Sequence, residues 1–401
     1  MKHIILIIDG AADYPIDELE GKTPLMAANK PNMDMLAKKG KCGLLKTIPD
    51  NFSKGSAVAN LSILGYDPKI HFHGRGVLEA AAMGIELEKN DVAFRCNTMC
   101  IEDNKIKSHS AGQLSTEEGA ALIRTIDQQL GNPDVEFYPG VSYRHVLVLK
   151  NNYSEEVECV PPHDNIGEPI AKLMVKAISK KAEETTALLN KLILDSKPIL
   201  EKHPVNVNRV KQGTLPANMI WPWSPGKKPS MKTFQEMYNI KGAAISAVDL
   251  IKGLGIYAGF DVIDVPGATG FYDTNYEGKA DACIEALKDH DLVYLHVEAP
   301  DEASHDGDLK LKIKAIEAFD NRLLARILNK IDELNEDVKI ALLPDHPTPL
   351  SIRSHVADPV PFLIYDKKNK DNVDKFDEFS CKKGSLGLLE GNQFIKLFLE
   401  K

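Results

Sequence analysis

The stretch Leu292-Val-Tyr-Leu-His-Val-Glu-Ala-Pro-Asp-Glu-Ala-Ser-His305 decides the fold of this chain. Its first six residues form an apolar run that is typical of a buried parallel strand. Asp301 and His305 follow the run closely. Open α/β sheets carry their chemistry at the carboxyl ends of such strands. The stretch therefore predicts a strand of an α/β sheet with a carboxylate and an imidazole at its functional edge.

Two further apolar runs lead to the same kinds of side chain. His3-Ile-Ile-Leu-Ile-Ile8 ends at Asp9-Gly10. Val338-Lys-Ile-Ala-Leu-Leu343 is followed by Asp345-His346, and His355 stands nine residues after His346. Because parallel strands end at one edge of a sheet, we expect these side chains in one place.

The ligand chemistry of these strand ends indicates a metal site. Carboxylates and imidazoles suit Mg, Mn or Zn, whereas the absence of thiolates argues against an iron–sulfur or structural zinc site. A single Asp at a strand end can equally be a helix cap or a turn former. Three strand ends with the same ligand chemistry are harder to explain in that way, so the sequence favours a metal centre built from both ends of the chain.

Composition and charge exclude several classes of protein. The chain has 401 residues, of which 43% are hydrophobic and 27% charged, which is ordinary for a globular enzyme of two domains. The net charge of −9 is spread without a basic stripe, so nucleic acid is not expected as a partner. No signal-peptide pattern or bilayer-length apolar run is present, so we expect a cytoplasmic protein without a membrane partner. The six scattered cysteines are expected to be reduced and mostly buried.

The order of predicted elements indicates an α/β fold with an insertion. Residues 1–85 and 180–401 are expected to form a core with a central, mostly parallel sheet flanked by helices. The βαβ pattern beyond residue 240 includes a last strand at Val360–Ile364. Residues 86–179 read as short strands around one helix, which predicts a smaller inserted α+β domain.

Local signals place several helices and turns. Pro31 and Gly40 are expected to begin and end one helix, and a capping box at Ser115 with a stop at Gly131 marks another. Asn151-Asn152 signals a turn. We further expect a charged helix over Lys180–Leu194 that leads back to the core, and an amphipathic helix whose apolar face is formed by Ile313, Ile316, Phe319, Leu323, Ile327 and Ile331.

Lys54-Gly-Ser56 is the candidate nucleophile segment. Gly55 permits a tight turn, and the helical composition that follows places Ser56 at a helix N-terminus. The backbone N–H groups there favour phosphate oxygens and a developing alkoxide. A bound metal would activate the hydroxyl without a dedicated base. The alternative is that Ser56 is a plain N-cap residue.

Taken together, these motifs resemble the alkaline phosphatase superfamily. The closer resemblance is to the archaeal-type cofactor-independent (2,3-bisphosphoglycerate-independent) phosphoglycerate mutases. The phrases that carry it span nearly the whole chain in order: Asn60-Leu-Ser-Ile-Leu-Gly-Tyr-Asp-Pro68, Ala93-Phe-Arg-Cys-Asn97, Tyr143-Arg-His145, Pro162-His-Asp164, Pro229-x-Met231, Ala247-Val-Asp-Leu-Ile-Lys-Gly-Leu-Gly255 and Asp358-Pro-Val-Pro361.

The resemblance implies an alkaline-phosphatase-like core with an inserted domain and an isomerase of glycolysis and gluconeogenesis. The implied reaction interconverts 3- and 2-phosphoglycerate through a phosphoserine, with two divalent metal ions (Mn, Mg, Zn or Co) and no 2,3-bisphosphoglycerate. The small phosphorylated substrate is the implied partner. Carried over to this chain, one ion would be held by Asp9, Ser56, Asp345 and His346, and the other by Asp301, His305 and His355.

Further residues are implied to contact the substrate. Lys252 matches a lysine that would stabilise the phosphoryl group, although a solvated lysine at a helix end is the alternative. The candidates for gripping glycerate are Arg95, Arg144, His163 and Asp164. For the two arginines a structural or surface ion pair is the alternative, and the His–Asp pair could equally belong to a loop.

Two departures from the family pattern concern the acceptor. Ala57 stands where an acidic residue is usual, and Ser110-Ala-Gly-Gln113 stands where an Asp and an Arg are usual. Two alternatives therefore stay open: a phosphotransferase acting on another hydroxylated acceptor such as homoserine, or a phosphohydrolase. A non-catalytic metal-binding scaffold is a third alternative. The sequence specifies neither the metal used nor the oligomeric state.

Overall fold

The computed structural model describes residues 1–112, 114–151, 153–368, 370–371 and 373–400. Two residues of the sequence predictions lie outside the described residues. They are Gln113, which belongs to the departure from the family pattern at 110–113, and Asn152, which belongs to the predicted turn. The chain forms two compact units, the first from Met1–Phe72 and Ser230–Lys401, the second from His73–Pro229. The first unit is thus built from both chain ends.

Fifteen strands are present in the described residues: β1 Lys2–Ile8, β2 Lys41–Lys46, β3 Val92–Glu102, β4 Lys105–Ser108, β5 Val135–Tyr138, β6 Arg144–Leu149, β7 Val157–Glu158, β8 Lys176–Ala177, β9 Met219–Lys227, β10 Gly242–Ile245, β11 Asp261–Val262, β12 Leu292–Val297, β13 Val338–Leu343, β14 Val360–Tyr365 and β15 Gly387–Glu390.

Seventeen α-helices occur in the same residues: α1 Pro24–Ala27, α2 Pro31–Lys39, α3 Ser56–Ile63, α4 Pro68–His71, α5 Arg75–Ala82, α6 Thr116–Leu130, α7 Ile170–Leu173, α8 Glu183–Glu201, α9 Pro204–Lys211, α10 Phe234–Tyr238, α11 Asp249–Tyr257, α12 Tyr276–Ala286, α13 Ala299–Asp306, α14 Leu309–Ala318, α15 Ala325–Lys330, α16 Glu378–Cys381 and α17 Gln393–Leu399. Shorter 3-10 turns cover Asp17–Leu19, Pro162–Asn165, Lys180–Ala182 and Ile331–Leu334, and a π-helical turn covers Phe319–Leu324.

The first unit contains an eight-stranded sheet in the order β11-β10-β12-β1-β13-β14-β2-β15. The pairs from β11 to β13 are all parallel, as is the pair of β15 with β2. Helices α2, α11, α12 and α17 pack against its strands. The expected α/β class, with a mostly parallel sheet flanked by helices, is confirmed.

The three strands singled out from the sequence lie side by side at the centre of this sheet. Ile7 of β1 is opposite His296 of β12 on one side and Leu343 of β13 on the other. Their carboxyl ends therefore coincide. All three strands are almost entirely buried, which explains why each reads as a continuous apolar run.

The strand β14 does not continue the βαβ pattern expected from the sequence. It runs antiparallel to both β13 and β2. A parallel neighbour requires a crossover helix, and the described connection between β13 and β14 contains none. That connection instead carries Asp345, His346 and His355.

The amphipathic helix expected after residue 308 is interrupted by its π-helical turn. Ile316, Phe319, Leu323 and Ile327 are fully buried, as the periodicity predicts. Lys312 is fully buried as well, and its ammonium group donates to the Asp13 carboxylate at 2.8 Å. A buried charge persists only with such a partner, so this ion pair ties the helix to the segment that follows β1.

The second unit is an α+β structure with its own core. Its sheet has the order β4-β3-β6-β5, and β9 pairs antiparallel with β3. The capping box at Ser115 is present, and Gly131 ends α6. In the first unit, Pro31 is the first residue of α2 and Gly40 is its C-cap, as expected.

The second unit is longer than the insert expected over residues 86–179. On its N-terminal side α5 packs against β3, and on its C-terminal side β9 adds a strand. The helix expected over Lys180–Leu194 is α8 at Glu183–Glu201, and it packs against β9 within this unit. Prolines at positions 222 and 225 disguise β9 in the sequence, because proline seldom occurs inside strands.

The described helices include none with both the length and the apolar composition needed to cross a bilayer. All six cysteines lie within the described residues and are free, and five of them are buried. The expectation that most of the thiols are buried is therefore met.

Gly10 allows β1 and α13 to approach closely. It has φ +62°, and an added Cβ would lie 2.4 Å from Asp301 Oδ1 and 2.7 Å from Asp301 Cα. Gly21 has φ +78° but an added Cβ there would meet nothing within 4 Å. The two glycines share the left-handed conformation, and only Gly10 adds a steric constraint.

We therefore predict that Gly10→Ala is more destabilising than Gly21→Ala. The conformational penalty alone is about 1–2 kcal/mol at either position, and the overlap with Asp301 should add about 1–3 kcal/mol. Urea unfolding of both variants measures the difference. Equal losses of unfolding free energy would show that Asp301 yields without cost.

Candidate metal centre

The candidate centre lies at the carboxyl ends of β12, β1 and β13. Asp9 follows β1 directly, and its backbone N–H donates to Val297 of β12 at 3.0 Å. The segment after β13 is fastened to the same place, because Thr348 N–H donates to the Ala12 carbonyl at 3.2 Å. Parallel pairing in register thus brings residues from distant parts of the chain together.

One cluster of ligand atoms comes from Asp9, Asp345 and His346, which are all buried. His346 Nε2 lies 3.5 Å from both Asp9 Oδ1 and Asp345 Oδ2. Ser56 is the first residue of α3, and its Oγ lies 3.1 Å from His346 Nε2. The four residues expected to hold one ion are therefore brought together.

A second cluster adjoins the first. His305 Nε2 lies 3.2 Å from Asp301 Oδ2 and His355 Nε2 lies 3.6 Å from the same oxygen. The two imidazoles are on separate elements, α13 and the connection after β13, and their Nε2 atoms are 3.0 Å apart. The ring centroids of His346 and His355 are 4.2 Å apart, so the two clusters are contiguous. His346 also belongs with Asp301 and His355 as a possible ligand group, which the sequence did not suggest.

The electrostatics of the centre reflect negative charge gathered in a buried place. Burial and the neighbouring charge of Asp345 raise the pKa of Asp9 well above its usual range. Burial also opposes ionisation of Asp301, but hydrogen bonds with His305 and His355 hold the pKa of Asp301 well below its usual range. The hydrogen bond to Asp301 in turn raises the pKa of His305 to about 9. Such a set of carboxylates favours a cation.

Two residues that orient these side chains were missed from the sequence. His296 of β12 lies with Nε2 3.0 Å from Asp9 Oδ2 and is fully buried. Burial lowers the pKa of His296 to about 4, so its imidazole is neutral and can hold Asp9 by one N–H donor. An imidazole inside an otherwise apolar strand was the available signal.

Thr348 is the other missed residue. Its hydroxyl donates to Asp301 Oδ1 at 2.5 Å and lies 3.2 Å from His346 Nδ1. Because the single hydroxyl proton is used on Asp301, His346 must supply the proton of the second hydrogen bond from Nδ1. His346 Nε2 then carries a lone pair, which is directed toward Ser56 and the carboxylates, as a metal ligand requires.

Lys252 lies on α11, which packs against α3. Its Nζ lies 2.6 Å from Asp264 Oδ1, an exposed carboxylate. The structure thus gives Lys252 an ion-pair partner that the sequence did not indicate. Its proposed contact with a phosphoryl group stays a prediction.

The second unit gathers most of the residues expected to contact substrate. Arg95 is buried and its guanidinium lies 5.0 Å from the centre of the Trp223 ring, while Nη1 donates to Glu79 at 2.9 Å. The His163 ring contacts both Trp223 and His109, at centroid distances of 5.3 and 6.0 Å. Arg95 therefore forms an ion pair, which was the alternative to a substrate contact.

The same cluster extends to Arg144 through Tyr143. The His109 and Tyr143 rings are 5.6 Å apart, and the Arg144 guanidinium lies 5.7 Å from the Tyr143 ring. Asp164 is largely exposed, with Oδ1 3.7 Å from His163 Nε2. Arg95 Nε and His109 Nδ1 are buried atoms without a hydrogen-bond partner among the described residues. These two nitrogen atoms of the cluster are thus available to form hydrogen bonds.

Asp9→Asn tests whether the buried carboxylates of the first cluster repel one another. Removing one of the buried carboxylates should stabilise the metal-free protein by about 1–4 kcal/mol, while the stabilisation gained on adding Mn²⁺ should shrink. Thermal unfolding with EDTA and with Mn²⁺ measures both effects.

Asp13→Asn is the matched control. Asp13 is equally buried but is paired with Lys312, so its replacement should destabilise the protein by about 3–5 kcal/mol in either condition. A loss of metal-free stability in Asp9→Asn would contradict the electrostatic account of the centre.

Comparison with known proteins places the chain in a family. The family model described as 2,3-bisphosphoglycerate-independent phosphoglycerate mutase matches residues 37–206. A Methanosarcina barkeri protein named 2,3-bisphosphoglycerate-independent phosphoglycerate mutase is 52% identical over 402 residues and covers 100% of both chains.

Two solved structures share the fold over nearly the full length. The PH0037 protein from Pyrococcus horikoshii has a TM-score of 0.84 and 33% identity, covering 99% of this chain and 96% of its own. The cofactor-independent phosphoglycerate mutase from Thermoplasma acidophilum has a TM-score of 0.68 and 29% identity, covering 100% and 99%. On this full-length similarity the chain belongs to the family of 2,3-bisphosphoglycerate-independent phosphoglycerate mutases, which are isomerases.

Proposed function

We propose that the protein interconverts 3-phosphoglycerate and 2-phosphoglycerate through a phosphoserine at Ser56, beside two divalent metal ions. The observation that carries the proposal is the position of the Ser56 hydroxyl. It lies at the N-terminus of α3, 3.1 Å from His346 Nε2, next to two contiguous groups of candidate ligands. Full-length relatives that bear the mutase name support the choice of reaction.

The residues present fit divalent ions. The donor atoms are carboxylate oxygens and imidazole nitrogens, which suit Mn, Mg, Zn or Co. Asp9 Oδ1 is buried and has no hydrogen-bond partner in the described part of the chain, as a ligand oxygen would. Asp9, Ser56, Asp345 and His346 would hold one ion. Asp301, His305 and His355 would hold the other.

The chain's own residues would carry the transfer in two steps. When bound, the ions would lower the pKa of the Ser56 hydroxyl and neutralise phosphoryl oxygens. Ser56 Oγ attacks phosphorus and the bond from phosphorus to the substrate's C3 oxygen breaks, so that phosphoserine and glycerate form as Ser56 loses a proton and the C3 oxygen gains one. The C2 hydroxyl of the retained glycerate then attacks phosphorus and loses its proton, while the bond from phosphorus to Ser56 Oγ breaks and Ser56 regains a proton. The N-terminus of α3 favours the negative charge in both steps.

The aromatic and cationic cluster of the second unit would bind the glycerate. Arg95, Arg144, His163 and Asp164 are the proposed contacts. The free Nε of buried Arg95 and the exposed guanidinium of Arg144 could each donate to a carboxylate or a hydroxyl. Lys252 would exchange its pairing with Asp264 for the phosphoryl group. A small phosphorylated acid of glycolysis, acted on in the cytoplasm, completes the proposal.

Ser56→Ala should lower kcat by about 10⁴-fold or more, because the phosphoryl acceptor is removed. Metal should still bind through the remaining ligands. Ser62→Ala is the matched control, since Ser62 is buried on the same helix and its Oγ has no hydrogen-bond partner in the described residues. A coupled assay of 2-phosphoglycerate formation and metal analysis are the measurements. Mutase turnover retained by Ser56→Ala would refute the nucleophile.

Asp345→Asn should reduce bound Mn²⁺ and abolish turnover without unfolding the protein, because Asp345 is fully buried among the candidate ligands. Asp50→Asn, an exposed carboxylate paired with Lys46, is the control. Metal content and circular dichroism are measured together. Unchanged metal content would contradict the ligand assignment.

The same assay on the wild-type protein separates the alternatives. Formation of 2-phosphoglycerate from 3-phosphoglycerate with Mn²⁺ supports the mutase. Release of inorganic phosphate instead would favour a phosphohydrolase, and a protein that binds metal without either reaction would be a scaffold.

A further inference from the structure

A buried chain of hydrogen bonds connects three elements behind the candidate centre. Asn60 on α3 donates from Nδ2 to Asp345 Oδ2 at 2.8 Å and to the Ser56 carbonyl at 2.7 Å. Its Oδ1 accepts a hydrogen bond from the Tyr294 hydroxyl on β12. Asn60 and Tyr294 are 0% and 1% exposed, so water does not compete for these bonds.

The donor and acceptor chemistry fixes the orientation of the Asn60 amide. An ionised carboxylate only accepts hydrogen bonds, and a backbone carbonyl does the same. The Asn60 amide must therefore present its NH₂ group to Asp345 and Ser56, which turns its oxygen away from both. Among the described residues, Tyr294 supplies the donor that this oxygen meets, so the tyrosine holds the amide in this orientation.

The position of Asn60 connects these hydrogen bonds to the proposed nucleophile and to one proposed metal ligand. Asn60 stands one helical turn after Ser56, so its side chain lies on the same face of α3. One amide thus joins the backbone of the proposed nucleophile to a proposed metal ligand. A displacement of this amide would move Ser56 and Asp345 relative to each other.

Burial by itself does not explain the Tyr294 contact. Tyr276 on α12 is buried to the same degree, and its hydroxyl has no hydrogen-bond partner among the described residues. The first unit therefore accommodates a buried tyrosine with an unpaired hydroxyl. The directed contact of Tyr294 with Asn60 is a separate feature.

We propose that Tyr294 and Asn60 are positioning residues, with Tyr294 acting through the Asn60 amide to hold Asp345 in register with the Ser56 hydroxyl. This inference rests on the proposed function, because it assigns a task to residues behind the proposed metal centre. Neither residue touches the reacting atoms. Their contribution is to the geometry in which Asp345 and Ser56 meet one metal ion.

Tyr294→Phe tests the inference by removing one hydroxyl group. We expect Mn²⁺ affinity and kcat each to fall about 10- to 100-fold, as when an outer hydrogen-bond partner of a ligand is lost. KM for 3-phosphoglycerate should stay within about twofold of the wild type. The visible absorption of the Co²⁺-loaded protein should also change, since it reports ligand geometry independently of turnover.

Tyr276→Phe is the matched control and should retain wild-type metal affinity, spectrum and kcat. Asn60→Leu and the double variant Asn60→Leu/Tyr294→Phe complete a cycle. If Tyr294 acts through Asn60, the double variant should be no worse than Asn60→Leu alone. Multiplying losses would show that Tyr294 acts independently and would overturn the inference.

Other outcomes are equally decisive. Wild-type metal affinity, spectrum and kcat in Tyr294→Phe would overturn the role of Tyr294. If that variant fails to fold by circular dichroism, Asn60→Leu carries the test, and wild-type metal affinity in it overturns the positioning role. A wild-type protein that binds no Mn²⁺ would instead defeat the proposed function, which keeps the two failures distinguishable.

Discussion

The parallel pairing of β1 with β12 and β13 is the constraint on which the rest of the structure depends. It places the ends of three buried strands side by side, so Asp9, Asp301 and Asp345 must share one small buried volume. Burying like charges costs free energy, and the raised pKa of Asp9 reports that cost. The chain compensates in part with imidazoles, and the proposed metal ions would compensate for the rest. This concentration of buried carboxylates favours a cation at the same place.

Hydrogen bonds from neighbouring side chains orient three of the candidate ligands, Asp9, Asp345 and His346. Thr348 sets the tautomer of His346, His296 holds Asp9, and Asn60 spans Ser56 and Asp345. These partners are themselves buried: His296 lies on β12, Asn60 on α3 and Thr348 in the connection after β13. Positioning of this kind contributes to phosphoryl transfer because the reaction depends on alignment and charge stabilisation more than on proton chemistry. The proposed mechanism therefore draws as much on the surrounding hydrogen bonds as on the ligands.

The division of the chain into two units separates two kinds of chemistry. All candidate metal ligands come from the first unit, which both chain ends form. The second unit has its own sheet and gathers Arg95, His163 and Trp223 into one aromatic and cationic cluster. The candidate metal ligands and the proposed substrate contacts of the second unit are thus built on separate scaffolds.

The sequence by itself determined the strand ends, the start of α3 at Ser56 and the α/β class, because apolar runs, Gly55 and helix signals are local features that do not depend on tertiary partners. The tertiary structure alone decided the extent of the second unit, since β9 pairs with β3 across more than a hundred residues and contains prolines that hide it. It likewise decided the antiparallel direction of β14, the pairing of Lys252 with Asp264, and the hydrogen bonds of Thr348, His296 and Tyr294. Those contacts depend on register and side-chain direction between distant segments, which no local pattern encodes.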